Sequence, residues 1–230
     1  MSTFVLVHGS YQGGWIWKTV GNRLLDVGHR VYRPTLAGSA ERKREARVDL
    51  TLKDLGQELA DLLFYEDLDQ VVMVGTSIGG MVVAEASEKV PERIKRLIFI
   101  DALVPLPGES VPTINSRPPH NPADRVYGPR PERAKGQMFT GLSPEMEAWA
   151  LARYTQQPIA PTDEPVDLQA FWNREWQVDV LRCTEGPLPP EAHQRRTAER
   201  LKGSYAELAA GHYPMLSHPN EVTQYLLERS

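Results

Sequence analysis

Short apolar runs alternate along the chain with longer stretches whose apolar residues recur every three or four positions. Phe4–Val7, Val71–Val74, Leu97–Ile100, Val178–Cys183 and Ser204–Leu208 read as strands, with Arg30–Arg33 as a further short one. Val71–Val74 is free of charge, as a strand buried on both faces must be. Between the strands, Trp15–Val27 carries Val20, Leu24 and Leu25 at helical spacing and stops at Gly28. Thr51 stands as the N-cap of a helix reaching about Tyr65, with Leu55, Leu59, Leu62 and Leu63 inside. Met81–Val90 forms a helix ended by Pro91, and Pro219 opens a last one with Val222, Tyr225 and Leu226 on its apolar side. The alternation predicts an α/β chain: a mainly parallel sheet of about six strands flanked by helices.

The pattern breaks near residue 104. Pro105–Pro131 is rich in proline and aperiodic, and the stretch to about Trp176 is helical with many large side chains. No ordinary connection between sheet elements is so long. Residues 104–177 are therefore expected to form an inserted, mostly helical cap on a core made of 1–103 and 178–230.

Composition narrows the class. A chain of 230 residues with 41% hydrophobic positions suits one domain carrying a subdomain. A net charge of −4 offers no surface for nucleic acid or a membrane. The basic stretch Arg42–Arg47 is expected as a solvated loop. The single cysteine, Cys183, lies within a strand pattern, which predicts a buried structural thiol and a reducing compartment. There is no signal-peptide pattern before Phe4–Val7, and no run approaches the ~18 apolar residues of a membrane helix. The expectation is a cytoplasmic protein acting on a small-molecule substrate, with a homodimer left open.

The turn after the third strand reads Gly75-Thr76-Ser77-Ile78-Gly79-Gly80 and fits the nucleophile elbow Gly-x-Ser-x-Gly. A serine at a sharp strand-to-helix turn needs strained backbone angles and small neighbours, and the next helix directs its N-terminus at developing negative charge. Two backbone N–H groups would form an oxyanion hole. One is that of Ile78, after the nucleophile. The other is that of Ser10, which follows His8-Gly9 as the chain leaves the first strand. A dinucleotide site is a poor alternative for that loop, which lacks the Gly-x-Gly-x-x-Gly spacing.

The base must follow the nucleophile in the chain, in the loop after the last strand, which selects His212. His193, in a helical stretch, and His218, beside Pro219, are expected at the surface. His8 fits a role in shaping its loop, His29 a turn, and His120 lies in the cap. For the acid, Asp101 closes an apolar strand where a buried charge needs a partner such as an imidazolium. Glu185, at the exit of the next strand, is the alternative.

The stretches FVLVHGSYQGGW (Phe4–Trp15), VGTSIGGM (Val74–Met81), IDALVPLPGES (Ile100–Ser110), RCTE (Arg182–Glu185) and GHYPMLSHP (Gly211–Pro219) together carry a resemblance. The chain resembles the bacterial α/β hydrolases related to plant methyl-ester esterases of the salicylate-binding-protein type and to hydroxynitrile lyases. This implies the α/β-hydrolase fold. The plant esterases place an aspartate where this chain has Gly186, whereas many bacterial relatives carry the aspartate of an Asp-Ala-x-x-Pro segment, as Asp101 does here. The residue before the nucleophile is commonly histidine and is Thr76 here. Hydroxynitrile lyases of this type place a lysine beside the catalytic histidine, where this chain has Tyr213, so lyase activity is disfavoured.

The reading that results is a serine hydrolase with Ser77 as nucleophile, His212 as base and Asp101 as acid, needing neither metal nor organic cofactor. Its expected substrate is a small hydrophobic carboxylic ester, with carbamate, lactone or amide as variants. Tyr11, Leu103, Met138, Phe139, Trp172, Trp176 and Tyr213 are the candidate substrate contacts. The large cap residues among them, with Trp149 and Phe171, serve equally well as the cap's own packing core. A lyase reusing the same residues and a ligand-binding protein on a hydrolase scaffold are the competing classes.

Overall fold

The computed structural model describes residues 1–121, 123–129, 131–133, 135 and 138–230. In chain order the elements are β1 (Thr3–Val7), α1 (Lys18–Asp26), β2 (Arg30–Tyr32), α2 (Leu52–Tyr65), β3 (Val71–Ser77), α3 (Gly79–Lys89) and β4 (Ile94–Ala102). The segment that follows carries α4 (Val111–Ile114), β5 (Val126–Tyr127), α5 (Pro131–Arg133), α6 (Pro144–Leu151), β6 (Gln157–Pro158), α7 (Ala160–Asp163) and α8 (Gln169–Trp172). The chain then returns through β7 (Val178–Cys183), α9 (Glu191–Arg200), β8 (Ser204–Leu208), α10 (Pro214–Ser217) and α11 (Pro219–Leu227).

Six strands form one parallel sheet in the order β2-β1-β3-β4-β7-β8. Alternate side chains of each strand feed opposite cores. Val5, Val7, Met73, Leu97 and Phe99 pack with Leu59 and Leu63 of α2 and Val82 of α3. Phe4, Leu6, Val72, Val74, Ile98 and Ile100 pack with Val20 and Leu24 of α1 and Val222 and Leu226 of α11. β3 is buried over its whole length. Thr51 caps α2 through a reciprocal pair with Asp54, which satisfies two otherwise unpaired N–H groups at the helix start.

β1 pairs with β2 on one side and β3 on the other, so the chain direction of winding reverses there. Open α/β sheets bind ligands beyond the carboxyl ends of such strands. The carboxyl ends of β1, β3 and β4 carry Ser10, Ser77 and Asp101, and the loop after β8 carries His212.

Two expectations need correction. Leu25 is 45% exposed, because it falls outside the arc of Val20 and Leu24 that faces the sheet. The basic stretch is solvated as expected, a short 3₁₀ turn over Ala40–Glu45 with no buried residue, in which Arg42 pairs with both Glu45 and Glu58. His193 is 5% exposed, on the inner face of α9, where Nε2 accepts the Val104 N–H at 3.0 Å. Burial, with the neighbouring Arg196, lowers it to about 4, so it sits neutral in the fold.

Candidate active site

Ser77 ends β3 with a left-handed φ of 53° and is 5% exposed. A non-glycine residue holds such a conformation only where its surroundings enforce it. Here the glycines around it allow the turn to close. A Cβ on Gly75 would lie 2.8 Å from the carbonyl group of Gly79, and one on Gly79 would lie 2.6 Å from the carbonyl oxygen of His8. Any larger residue would push β3, α3 and the loop after β1 apart.

Asp101 reaches its place by a different device. The β3–β4 register runs Thr76↔Ile100 and then Ser77↔Ala102, so Asp101 is the extra residue of a bulge, with φ of 45°. A bulge re-aims a side chain that regular pleating would send elsewhere. The Asp101 carboxylate is buried and fully used. Its Oδ2 faces His212 Nδ1 at 2.6 Å. Its Oδ1 accepts from the Cys183 N–H at 3.0 Å and from Gln194 Nε2 at 2.8 Å. With Nδ1–H donated to the carboxylate, the His212 tautomer leaves Nε2 as the acceptor nitrogen.

Glu185 is exposed, and its backbone N–H goes to the Ala210 carbonyl at 3.0 Å. Asp101, not Glu185, is thus the carboxylate on the imidazole. Gly186 lies beside His212, and a Cβ there would rest in ordinary contact with the His212 backbone nitrogen and Cβ, at 3.6 and 3.8 Å.

Ser77, His212, Ser10 and Ile78 line one cavity of about 480 Å³. Tyr11, Leu103 and Met138 line it as well. The other four candidate contacts do not. Phe139 and Tyr213 are buried behind the wall, packed on each other with ring centroids 5.8 Å apart, and both are in the core below α1 and α11. Burial pushes the Tyr213 phenol well above its usual range, so it stays neutral beside His212. Trp176 stacks on Phe171, Trp172 meets the same ring edge-on, and both border a separate groove with Arg174, Arg200 and Lys202. Trp149 packs edge-on against Trp15.

Sequence reasoning missed the polar part of the cavity wall: Asn115, Arg117, His120, Asn121, Asp124 and Tyr127. Arg117 and His120 share Asp163, at 3.0 and 2.9 Å, and the His120 ring stacks on Tyr127. Their signal was weak, because isolated polar residues in a proline-rich stretch look like solvated loop. Gln194 was missed for a related reason, as α9 buries His193, Gln194, Thr197 and Ala198, a stripe without a hydrophobic pattern.

His8 and Cys183 have structural positions. His8 Nδ1–H donates to the Gly9 carbonyl at 2.8 Å and Nε2 accepts from the Leu36 N–H at 3.0 Å. Burial lowers it to about 4, which keeps it neutral and holds the loop after β1 to the chain beyond β2. Burial, and then the charge of Asp101, push the Cys183 thiol well above its usual range, so it is a poor nucleophile. Among the described residues no cluster of His, Cys, Asp and Glu could hold a metal ion, and no helix is long and apolar enough to cross a membrane.

The family model for the α/β hydrolases matches residues 4–224. The chain belongs to the α/β hydrolase family. Among similar α/β hydrolases, the carbendazim hydrolyzing esterase of Nocardioides sp. (strain SG-4G) is 26% identical, with 98% of each chain covered. Salicylic acid-binding protein 2 of Nicotiana tabacum is 31% identical over 98% of this chain and 95% of its own. An extracellular α/β-hydrolase from a Paenibacillus species superposes with a TM-score of 0.86 over 99% of this chain and 98% of that one, at 24% identity. The α/β-hydrolase fold and six-stranded parallel sheet expected from the sequence are found, whereas the segment between β4 and β7 is not mostly helical: its described helices are short and it carries the β5–β6 pair.

Proposed function

We propose that this α/β hydrolase is a serine esterase that cleaves a small carboxylic ester, or a related carbamate, lactone or amide, through an acyl-enzyme. The observation that carries the reading is the buried Asp101–His212 pair opening onto the same cavity as a serine held at positive φ. In the first step the Ser77 hydroxyl attacks the carbonyl carbon while His212 Nε2 takes its proton. The C=O π electrons move onto the oxygen, which the Ser10 and Ile78 N–H groups stabilise. The oxyanion collapses, the bond to the alcohol breaks, and His212 returns the proton to the leaving oxygen. Water then attacks the acyl-enzyme with His212 again as base, which frees the acid and restores Ser77. Asp101 fixes the imidazole tautomer and stabilises the imidazolium in both halves.

The excursion between β4 and β7 acts as the cap in this reading, since it supplies most of the cavity wall. Its lining is mixed. Val111 and Met138, with Ile78, Leu103 and Leu188 of the core, suit an apolar substrate portion, and Arg117, His120 and Asp124 suit a polar substituent. The similarity to a carbendazim hydrolyzing esterase and to a salicylic acid-binding protein fits a small ester or carbamate of this kind. A cytoplasmic setting belongs to the same proposal and rests on the single buried, unpaired thiol of Cys183. The test is covalent labelling. A fluorophosphonate probe should modify Ser77 alone, and Ser77→Ala should lower kcat on p-nitrophenyl acetate by at least about 10⁴-fold. Labelling at Cys183, or an active Ser77→Ala protein, would refute the assignment.

A further inference from the structure

The Ser10 N–H belongs to a peptide plane lying between two others whose N–H groups are both engaged. The Gly9 N–H donates to Gln12 Oε1 at 3.1 Å, and the Tyr11 N–H donates to Gln157 Oε1 at 3.2 Å. The Tyr11 carbonyl accepts from the Thr155 N–H at 3.0 Å. Tyr11 itself holds a left-handed φ of 67°, which a non-glycine residue keeps only under constraint. Gln12 is in turn tied through Nε2 to the Tyr154 hydroxyl at 3.4 Å. Three positions of the excursion's chain, 154, 155 and 157, therefore grip the loop that follows β1.

Gln157 is the informative member. It is 3% exposed, and its Nε2 has no hydrogen-bond partner among the described residues. An amide buried with its NH₂ unpaired is destabilising, and an apolar residue of the same length would avoid that penalty. What the glutamine provides is one acceptor oxygen, delivered to one N–H next to Ser10. We infer that Gln157 is a positioning residue for the oxyanion hole: its Oε1 fixes the Ser10–Tyr11 peptide, and so aims the Ser10 N–H at the developing charge. The segment that covers the cavity then also assembles part of the catalytic machinery beneath it. This inference rests on the acyl-enzyme reading given above.

Two substitutions test it, because only the acceptor end of Gln157 is engaged. Gln157→Met keeps the length and removes the acceptor. Gln157→Glu keeps an oxygen where Oε1 stands and exchanges the unpaired NH₂ for a hydroxyl while its carboxyl is neutral, the form that burial favours. Removing one oxyanion donor outright costs about 10²–10³ in kcat, and a misaimed donor costs less. Gln157→Met should lower kcat/KM on p-nitrophenyl acetate by roughly 10- to 100-fold. It should weaken inhibition by an aryl trifluoromethyl ketone, which forms an oxyanion on the serine, by a similar factor. Assayed at about pH 5.5, where burial keeps its carboxyl neutral, Gln157→Glu should stay within about threefold of the parent on both measures. A folded Gln157→Met protein that matches the parent in both overturns the inference, as does a Gln157→Glu protein as impaired as Gln157→Met at that pH. Should Gln157→Met fail to fold, Gln157→Leu, shorter and likewise without an acceptor, takes its place, impaired values supporting and parental values overturning. An active Ser77→Ala protein would remove the acyl-enzyme reading itself, whereas an essential Ser77 with a silent Gln157→Met removes only the positioning role.

Discussion

The carboxyl edge of the sheet and the excursion over it place side chains in opposite ways. At the edge, backbone geometry does the placing: a serine at φ of 53°, an aspartate in a bulge at φ of 45°, and a histidine in the loop after the last strand. Each device demands particular residue types nearby, such as the glycines of the elbow. In the excursion the helices α4, α7 and α8 are four residues long, and large side chains do the placing by packing on one another. Phe139 joins Tyr154 and Tyr213, and Phe171 joins Trp172 and Trp176. Residues held by backbone geometry leave a local motif, and residues held by packing leave only a composition.

Mutation should separate the two regions sharply. The largest effect is expected at the edge. Asp101→Asn allows the wrong imidazole tautomer and should cost about 10⁴ in kcat, while Glu185→Gln should stay within about twofold. Steady-state rates beside circular dichroism check this, and a dead Glu185→Gln with a live Asp101→Asn would reverse the roles. Gly79→Ala forces a methyl against the His8 and Val7 carbonyls, at 2.6 and 2.7 Å. It should destabilise by about 3 kcal/mol or more, read from urea unfolding.

In the excursion, Trp176→Ala should cost stability, about 2 kcal/mol for a partly buried ring, and leave KM within about twofold. Met138→Ala should do the reverse, shifting KM by several-fold for bulky esters with under ~1 kcal/mol lost. A changed KM in Trp176→Ala would mean that the groove beside it communicates with the cavity. The last expected effect is a slope with pH. His8 and His193 are both lowered to about 4 by burial, from an ordinary 6.5. Each is neutral in the fold and protonates readily when unfolded, so the unfolded chain binds more protons between those values. The stability they allow is full above about pH 6.5 and declines as pH falls toward 4, by about 2 kcal/mol per histidine between pH 7 and 5. Urea midpoints across that range should show it, with the slope roughly halved in His193→Gln.

The sheet, its strands and the flanking helices were legible because periodicity reports burial directly. Val178–Cys183 and Ser204–Leu208 have the limits read from their apolar pattern. Ser77, His212 and Asp101 were legible as a set because an elbow, a chain order and a charge at a strand end constrain one another. Phe139, Trp172, Trp176 and Tyr213 were not, since an aromatic side chain facing a cavity and one facing a core are the same residue. The polar wall of Arg117 and His120 was hidden too, because its partner Asp163 stands more than forty positions away.

The space beside Gly186 bears on how His212 can be reached. Asp101 comes to the His212 ring from the end of β4, whereas Gly186 stands in the loop after β7, so a side chain begun at Gly186 starts from a different strand and from space that Asp101 does not occupy. The imidazole is therefore open to a side chain from two neighbouring strands, of which this chain uses one.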